Sequence, residues 1–516
     1  MLFERASGIL LHLTSLPGRY GIGEIGPDAL RWLDALAEMK QSLWQMLPLG
    51  PTGFADSPYQ SSSTFAGNPI LVGFEWLAED GLVDADELAD FPVLDTRRID
   101  FGRVIEERRR VLESAARRFH QRAGEELHAS AARFFARNAF WLDNFALFTV
   151  LKDEHAGSSW VDWAPAARDR DPQAMADVLA RRREDVEGAK VLQFLFDRQW
   201  ERIRAAARAH GLRLIGDLPI YVAHDSADVW ARRELFDLDA EGGARVVAGV
   251  PPDYFSATGQ RWGNPIYRWD RHADEGYAWW VERFRRALGW FDVVRIDHFR
   301  GFAGYWEIPA EEATAERGRW VEGPGAPLFA RVREELGSLP FIAEDLGLIT
   351  ADVEELRDRL GVPGMRVLQF AFGAETETSP HWPSRYIDNC VAVTGTSDND
   401  TIEGWWASLA DDPTLGPDLR RAIEERSAFE GLGEDGSPVH RRFIRVLLES
   451  AAGAVIFPLQ DVLGLGSEAR MNHPGRPEGN WQWRFRWEDL SEEIRRTMAE
   501  LTTAAGRTHG GAGKTG

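Results

Sequence analysis

Cysteine is almost missing from this chain of 516 residues, with Cys390 the single one. One sulfur can build neither an internal disulfide nor a cluster of thiolate metal ligands. Long hydrophobic runs are missing too: nowhere do the eighteen or so apolar residues of a membrane-spanning helix follow one another. The short apolar run at residues 9–13 is too brief for the core of a signal peptide, so no membrane partner and a cytoplasmic location are expected. Positive charge is in short supply, with 60 Lys and Arg against 82 Asp and Glu and a net charge of −22. Nucleic acid needs clustered cations to meet its phosphates, so it is not expected as a partner, and a neutral substrate fits better than an anionic one. The acid is spread along the chain and favours solubility. Two catalytic signatures are absent as well. No Gly-x-Ser-x-Gly elbow offers a serine nucleophile, and no His-x-His pair stands at a strand end as in barrel metallohydrolases. A metal-assisted reading is left with Asp297-His298, His224-Asp225 and His12 as scattered ligand types.

What the chain has is apolar residues (44%) and 21 tryptophans. Indole faces suit the packing of sugar rings, although most of these side chains fit a core. The length allows several domains or one barrel with insertions. Eight short apolar runs qualify as strands, at residues 8–13, 43–49, 212–219, 293–296, 341–343, 365–370, 391–394 and 454–458. The helical stretch at 351–360 links two of them, as βα units require. The expected fold is an α/β (β/α)₈ barrel. Residues 1–71 would start it, 72–205 would be a mainly helical insertion, and 206–502 would complete it around an inserted flap loop at about 223–282. A flexible tail is expected over 503–516. Gly21-Ile22-Gly23-Glu24-Ile25-Gly26 matches the dinucleotide fingerprint, but seven residues separate it from its strand, and it is rejected as a nucleotide site.

Carboxylates end several of these strands. Asp217, Asp297 and Glu344 stand at or near strand ends, and Asp398 follows the run at 391–394. A barrel keeps its chemistry at that rim. Asp297 and Glu344, on neighbouring strands, could approach to roughly 5–5.5 Å, the separation of a retaining glycosidase pair. Arg295 lies two residues before Asp297, hence on the same strand face, and brings a positive charge beside it. Glu344, with a carboxylate for a neighbour, is the expected acid.

These segments carry a resemblance. Residues 53–69, 216–230, 249–269, 295–301, 343–347, 394–401 and 459–483 resemble the amylomaltases, the 4-α-glucanotransferase relatives of the α-amylases, over nearly the whole chain. The resemblance implies a barrel without the amylases' C-terminal β-sandwich. It also implies disproportionation of α-1,4-glucans by a retaining double displacement, with maltodextrin donors, glucose or maltooligosaccharide acceptors, no cofactor and no metal. By resemblance Asp297 is the nucleophile, Glu344 the general acid/base, and Asp398 the acid that holds sugar hydroxyls. Arg295 and Asp217 line the nucleophile's sugar subsite with Tyr59 as its platform. Asp253, Gln260, Trp262 and Asn472 are further sugar contacts, and Tyr254 belongs to a flap on the acceptor side. One position departs from the family's Gly-Thr-His-Asp-Asn-Asp: the sequence has Gly395-Thr396-Ser397-Asp398-Asn399-Asp400. A serine, Ser397, stands where a donor-contacting histidine is expected. The alternatives are an α-glucan hydrolase sharing the same intermediate, and a glucan-binding homologue that has lost turnover.

Overall fold

Runs of Val, Ile, Leu and Ala long enough for only three to seven strand residues pair side by side and close on themselves. In this computed structural model, which describes residues 1–252, 256–372, 378–411, 417–433 and 435–508, they are β1 (Ala6–Leu10), β2 (Leu43–Gln45), β3 (Arg213–Pro219), β4 (Val293–Asp297), β5 (Phe341–Ala343), β6 (Gly364–Val367), β7 (Cys390–Val393) and β8 (Ala454–Pro458). All pairings are parallel, each strand lies beside its successor, and β8 returns to β1, so the sheet is a closed (β/α)₈ barrel. The β1–β2 seam is tight: a Cβ on Gly8 would come within 2.4 Å of the Cβ of Leu43, so only glycine fits there. β6 is shorter than its apolar run, because from Leu368 to Phe372 the chain coils into a 3₁₀ turn.

Between β2 and β3 the chain is helical, with Phe101–Arg122, Glu125–Glu154 and Arg183–Ala209 as its long members. Val111, Ala115 and Phe119 are buried as their helical spacing predicts, and so are Phe145, Phe148 and Leu151. The helix Arg183–Ala209 runs past residue 205 and delivers the chain to β3. It also fixes the loop after β2. The side chain of Gln193 exchanges two hydrogen bonds with the backbone of Gly67, both 2.8 Å. Gln199 does the same with Gly73, at 2.7 and 3.0 Å. Two buried amides thus stand in for a strand partner along a loop that has none.

The stretch expected as a flap loop is more regular than its Gly and Pro content indicates. Val246–Val250 and Gln260–Pro265 pair antiparallel, and Gly304–Pro309 with Arg319–Glu322 complete a four-stranded sheet outside the barrel. The tail also differs from expectation. A helix, Glu492–Ala504, is followed by Arg507, which is 1% exposed and donates to the carbonyls of Leu448 (2.6 Å) and Ser450 (2.9 Å). Within residues 503–508 the chain is therefore anchored at Arg507, which satisfies those carbonyls; residues 509–516 lie outside the described part. Among the described residues no helix is long and apolar enough to cross a membrane.

Candidate active site

Strand register assembles the site. Asp217 on β3 is paired with Arg295 on β4, so the two side chains project side by side, and Asp297, two residues on, shares their face. Arg295 Nη1 donates to Asp217 Oδ1 at 2.8 Å and Oδ2 at 2.9 Å, and to Asp297 Oδ1 at 2.9 Å. Asp217 also accepts from the hydroxyl of Tyr59 at 2.9 Å. Burial lifts the Asp217 carboxyl to about 6 against the opposing charge of Arg295. Burial works against the Arg295 cation too, yet Asp217 and Asp297 keep its pKa well above the usual arginine value. Tyr59 leans on Trp481, ring centroids 5.8 Å apart.

Ile296 pairs with Ala343, which sets Asp297 and Glu344 at the next step of adjacent strands, about 4.8 Å apart in the pairing direction. Carboxyl groups carried on neighbouring strands in this way can approach to the ~5–5.5 Å of a retaining pair. Glu344 accepts from the backbone amides of His298 (2.7 Å) and Leu346 (3.1 Å). Burial nevertheless pushes its pKa up to about 8, and Asp297 adds to the rise against the charge of Arg295. His298 adopts left-handed backbone (φ 55°), so the chain turns sharply at the residue that donates to Glu344. Its ring stands edge-on to Trp262 at 4.7 Å, and burial lowers its pKa to about 4, so the imidazole is neutral near pH 7.

Asp398 is carried by the loop after β7. Asn472 donates to its Oδ1 at 2.7 Å, and Arg470 donates to its carbonyl at 2.9 Å. The loop is fastened at both ends by one residue: buried Asp461 accepts from the Thr394 hydroxyl (2.6 Å) and the Ile402 amide (2.8 Å). Ser397 is 6% exposed, with its Oγ 3.4 Å from the Tyr59 hydroxyl. It helps line a small cavity with Tyr59, Asp217, Arg295 and Thr396.

Tyr59, Asp217, Arg295, Asp297 and Ser397 thus meet directly, Glu344 joins through the β4–β5 register, and Asp398 joins with Asn472. Trp262 reaches the group through His298, and Gln260 accepts from the Trp262 indole at 3.1 Å. Asp253 and Tyr254, with Phe255, lie outside the described residues. Of the scattered metal-ligand types, His224 is bonded to the Gly242 carbonyl at 2.8 Å and His12 is buried at 7% exposure. Sequence reasoning missed three participants: the His298 amide, Trp481 and Asp461. Only Asp461 carried a signal, as an acid just beyond β8.

Comparison with known proteins gives the family. The chain matches the family model described as 4-alpha-glucanotransferase over residues 11–490. It is 47% identical to the 4-alpha-glucanotransferase of Thermus thermophilus over 509 residues, covering 97% of this chain and 99% of that one. The chloroplastic/amyloplastic 4-alpha-glucanotransferase of Solanum tuberosum is 41% identical, covering 97% of this chain and 86% of that protein. Among solved structures, the amylomaltase from Streptococcus agalactiae in complex with acarbose superposes with a TM-score of 0.92 at 37% identity, covering 98% of this chain and all of that one.

Proposed function

The chain belongs to the 4-alpha-glucanotransferase family and is an enzyme of that activity, acting on α-1,4-glucans, and we propose that Asp297, Glu344 and Asp398 carry its reaction. The observation that bears most of the weight is the register that sets Asp297 and Glu344 side by side, with Arg295 bridging Asp297 to Asp217. In the first step Asp297 attacks the anomeric carbon of the donor's glucose. Glu344 gives its proton to the departing glycosidic oxygen, and the shortened glucan leaves. In the second step the 4-hydroxyl of an acceptor loses its proton to Glu344 while its oxygen attacks the same carbon. Asp297 is released, and two inversions give retention.

The surrounding residues have separate tasks. The pKa of Glu344, about 8, supports a protonated acid near neutrality, with the shift coming chiefly from burial. Arg295 supplies the counter-charge to Asp297, and Asp217 with Tyr59 fixes Arg295 and offers oxygens to the sugar. Asp398, steadied by Asn472, is the acceptor for hydroxyls of the donor ring, a contact that strengthens as the ring flattens. Ser397, Gln260, Trp262 and Asn472 are further sugar contacts, Asp253 is proposed as another by family resemblance, and Tyr254 is proposed in a flap on the acceptor side. Maltodextrins are the proposed donors, and glucose or maltooligosaccharides the acceptors. A cytoplasmic location is proposed, supported by the lone buried Cys390.

Incubation with maltotriose alone tests the activity. A ladder of longer and shorter maltodextrins with a constant number of reducing ends is expected. Shorter products with steadily rising reducing ends would mean hydrolysis, and binding without products would mean lost turnover.

A further inference from the structure

One buried cation, Arg300, underlies an exposed tryptophan and holds the backbone of an exposed leucine. Trp320 is 41% exposed and Leu348 59%, while Arg300 beneath them is 5% exposed. The Arg300 guanidinium lies 3.9 Å from the centroid of the Trp320 ring. Its Nη1 donates to the Leu348 carbonyl, and its Nε donates to the Gly304 carbonyl at 3.3 Å. Trp306, on the neighbouring strand, stands edge-on to Trp320 at 5.3 Å and 68°, and its own indole N–H is fixed to the Ala315 carbonyl at 3.0 Å. The Trp320 ring is therefore braced from below and from the side, and what remains open is an immobile apolar surface with a polar tip. Indoles are mostly buried, and an exposed one held rigid is what a binding surface requires.

Its position gives the surface an occupant. Arg300 follows two residues after His298, whose amide holds Glu344, and Leu348 follows four residues after Glu344 itself. The Arg300 contact ties these two rim segments together just outside β4 and β5. In the proposed reaction the donor ring is held by Tyr59, Asp217 and Ser397, which line one small cavity together. The group that takes the proton of Glu344, or gives one up to it, is on the acceptor side, and Arg300 and Leu348 lie only a few residues along the rim from His298 and Glu344.

We propose that Trp320, braced on Arg300 and Trp306, is an outer platform for distant glucose rings of a linear α-1,4-glucan occupying the acceptor side. The proposal rests on the glucanotransferase reading of the cleft. A sugar ring stacks its apolar face on the open part of the indole, while the short acceptor glucose ends before reaching it. The platform thereby makes long acceptors better than short ones without touching the reacting atoms.

The test is acceptor kinetics with a fixed donor, over the series from glucose to maltoheptaose, for the wild-type enzyme, Trp320→Ala and Trp320→Phe. For Trp320→Ala, kcat/KM with glucose should stay at the wild-type value while kcat/KM with maltoheptaose falls about three- to tenfold. Trp320→Phe, which keeps a flat ring over Arg300, should retain most of the gain with length. An equal loss with glucose and maltoheptaose would assign Trp320 to the fold alone and overturn the platform, as would no loss at any length. A wild-type enzyme that transferred to no acceptor would overturn the activity itself, a result visible before any variant is compared.

Discussion

The backbone amide of His298 donates to the Glu344 carboxyl at 2.7 Å, and His298 itself holds a left-handed conformation, φ 55°. A side chain with a Cβ adopts that region at a cost of ~1 kcal/mol or more. Here the cost is met at the residue whose amide holds the Glu344 carboxyl.

Glu344 makes the first prediction. Its pKa, raised to about 8 chiefly by burial, keeps the acid protonated below that pH and ionised above it. The first step needs the proton, so kcat/KM for the donor should hold through neutrality and fall about tenfold per pH unit above roughly 8. A profile measured on maltotriose checks this. A limb near the ordinary carboxylic range would mean that another group supplies the proton.

A second prediction concerns the loop after β2. Gln193 exchanges two hydrogen bonds with Gly67 from inside the helix Arg183–Ala209. Gln193→Leu leaves a buried N–H and C=O without partners, at a cost of ~1–3 kcal/mol each. Thermal melting should fall by several degrees, and KM should rise because Tyr59 rides on the same loop. An unchanged melting temperature would show that the loop is held by packing alone.

Asp461 is 1% exposed, away from the surface substrate would meet, and it fastens both ends of the loop bearing Asp398. Asp461→Ala removes both acceptors and should lower kcat/KM by about one to two decades. Asp461→Asn should be milder, because the Thr394 hydroxyl can reverse and accept from the new amide. Equal losses in the two variants would deny the positioning role.

Ser397 gives a prediction of gain. Buried at the mouth, with its Oγ 3.4 Å from the Tyr59 hydroxyl, it is shorter than the imidazole expected from the family pattern. Ser397→His should restore a donor contact worth on the order of 1–3 kcal/mol, or roughly one to two decades in kcat/KM on maltodextrin. A slower variant would show that the pocket is built around serine.

The barrel was legible because each of its strands is a short apolar run, and several of those runs end on an acid at the rim. Asp217, Arg295, Asp297 and Glu344 could be grouped because alternation along a strand fixes which side chains share a face. The outer sheet was not legible: Gly304–Pro309 and Arg319–Glu322 mix Gly, Pro, Trp and charge, and they are strands only because they pair with Val246–Val250 and with each other. Gln193 and Gln199 look like any polar helix residues until the loop they bond is folded against them. Left-handed His298 carries no mark in sequence, since histidine is ordinary in every other backbone region. The Met365–Phe370 run failed as a continuous strand because its last residues turn into a 3₁₀ coil at the rim.

The central claim is that Asp297 takes the glycosyl group covalently while Glu344 manages the proton. It is tested most directly by trapping that species. Glu344→Gln, slowed by ~10²–10⁴ in proton transfer, is mixed with an α-maltotriosyl fluoride, whose leaving group needs no acid, then digested and sequenced by mass spectrometry. A maltotriosyl adduct on the peptide carrying Asp297, absent when Asp297→Asn is added, is the result expected. An adduct on Asp398 or Asp217, or unimpaired transfer by Asp297→Asn alone, would contradict the account.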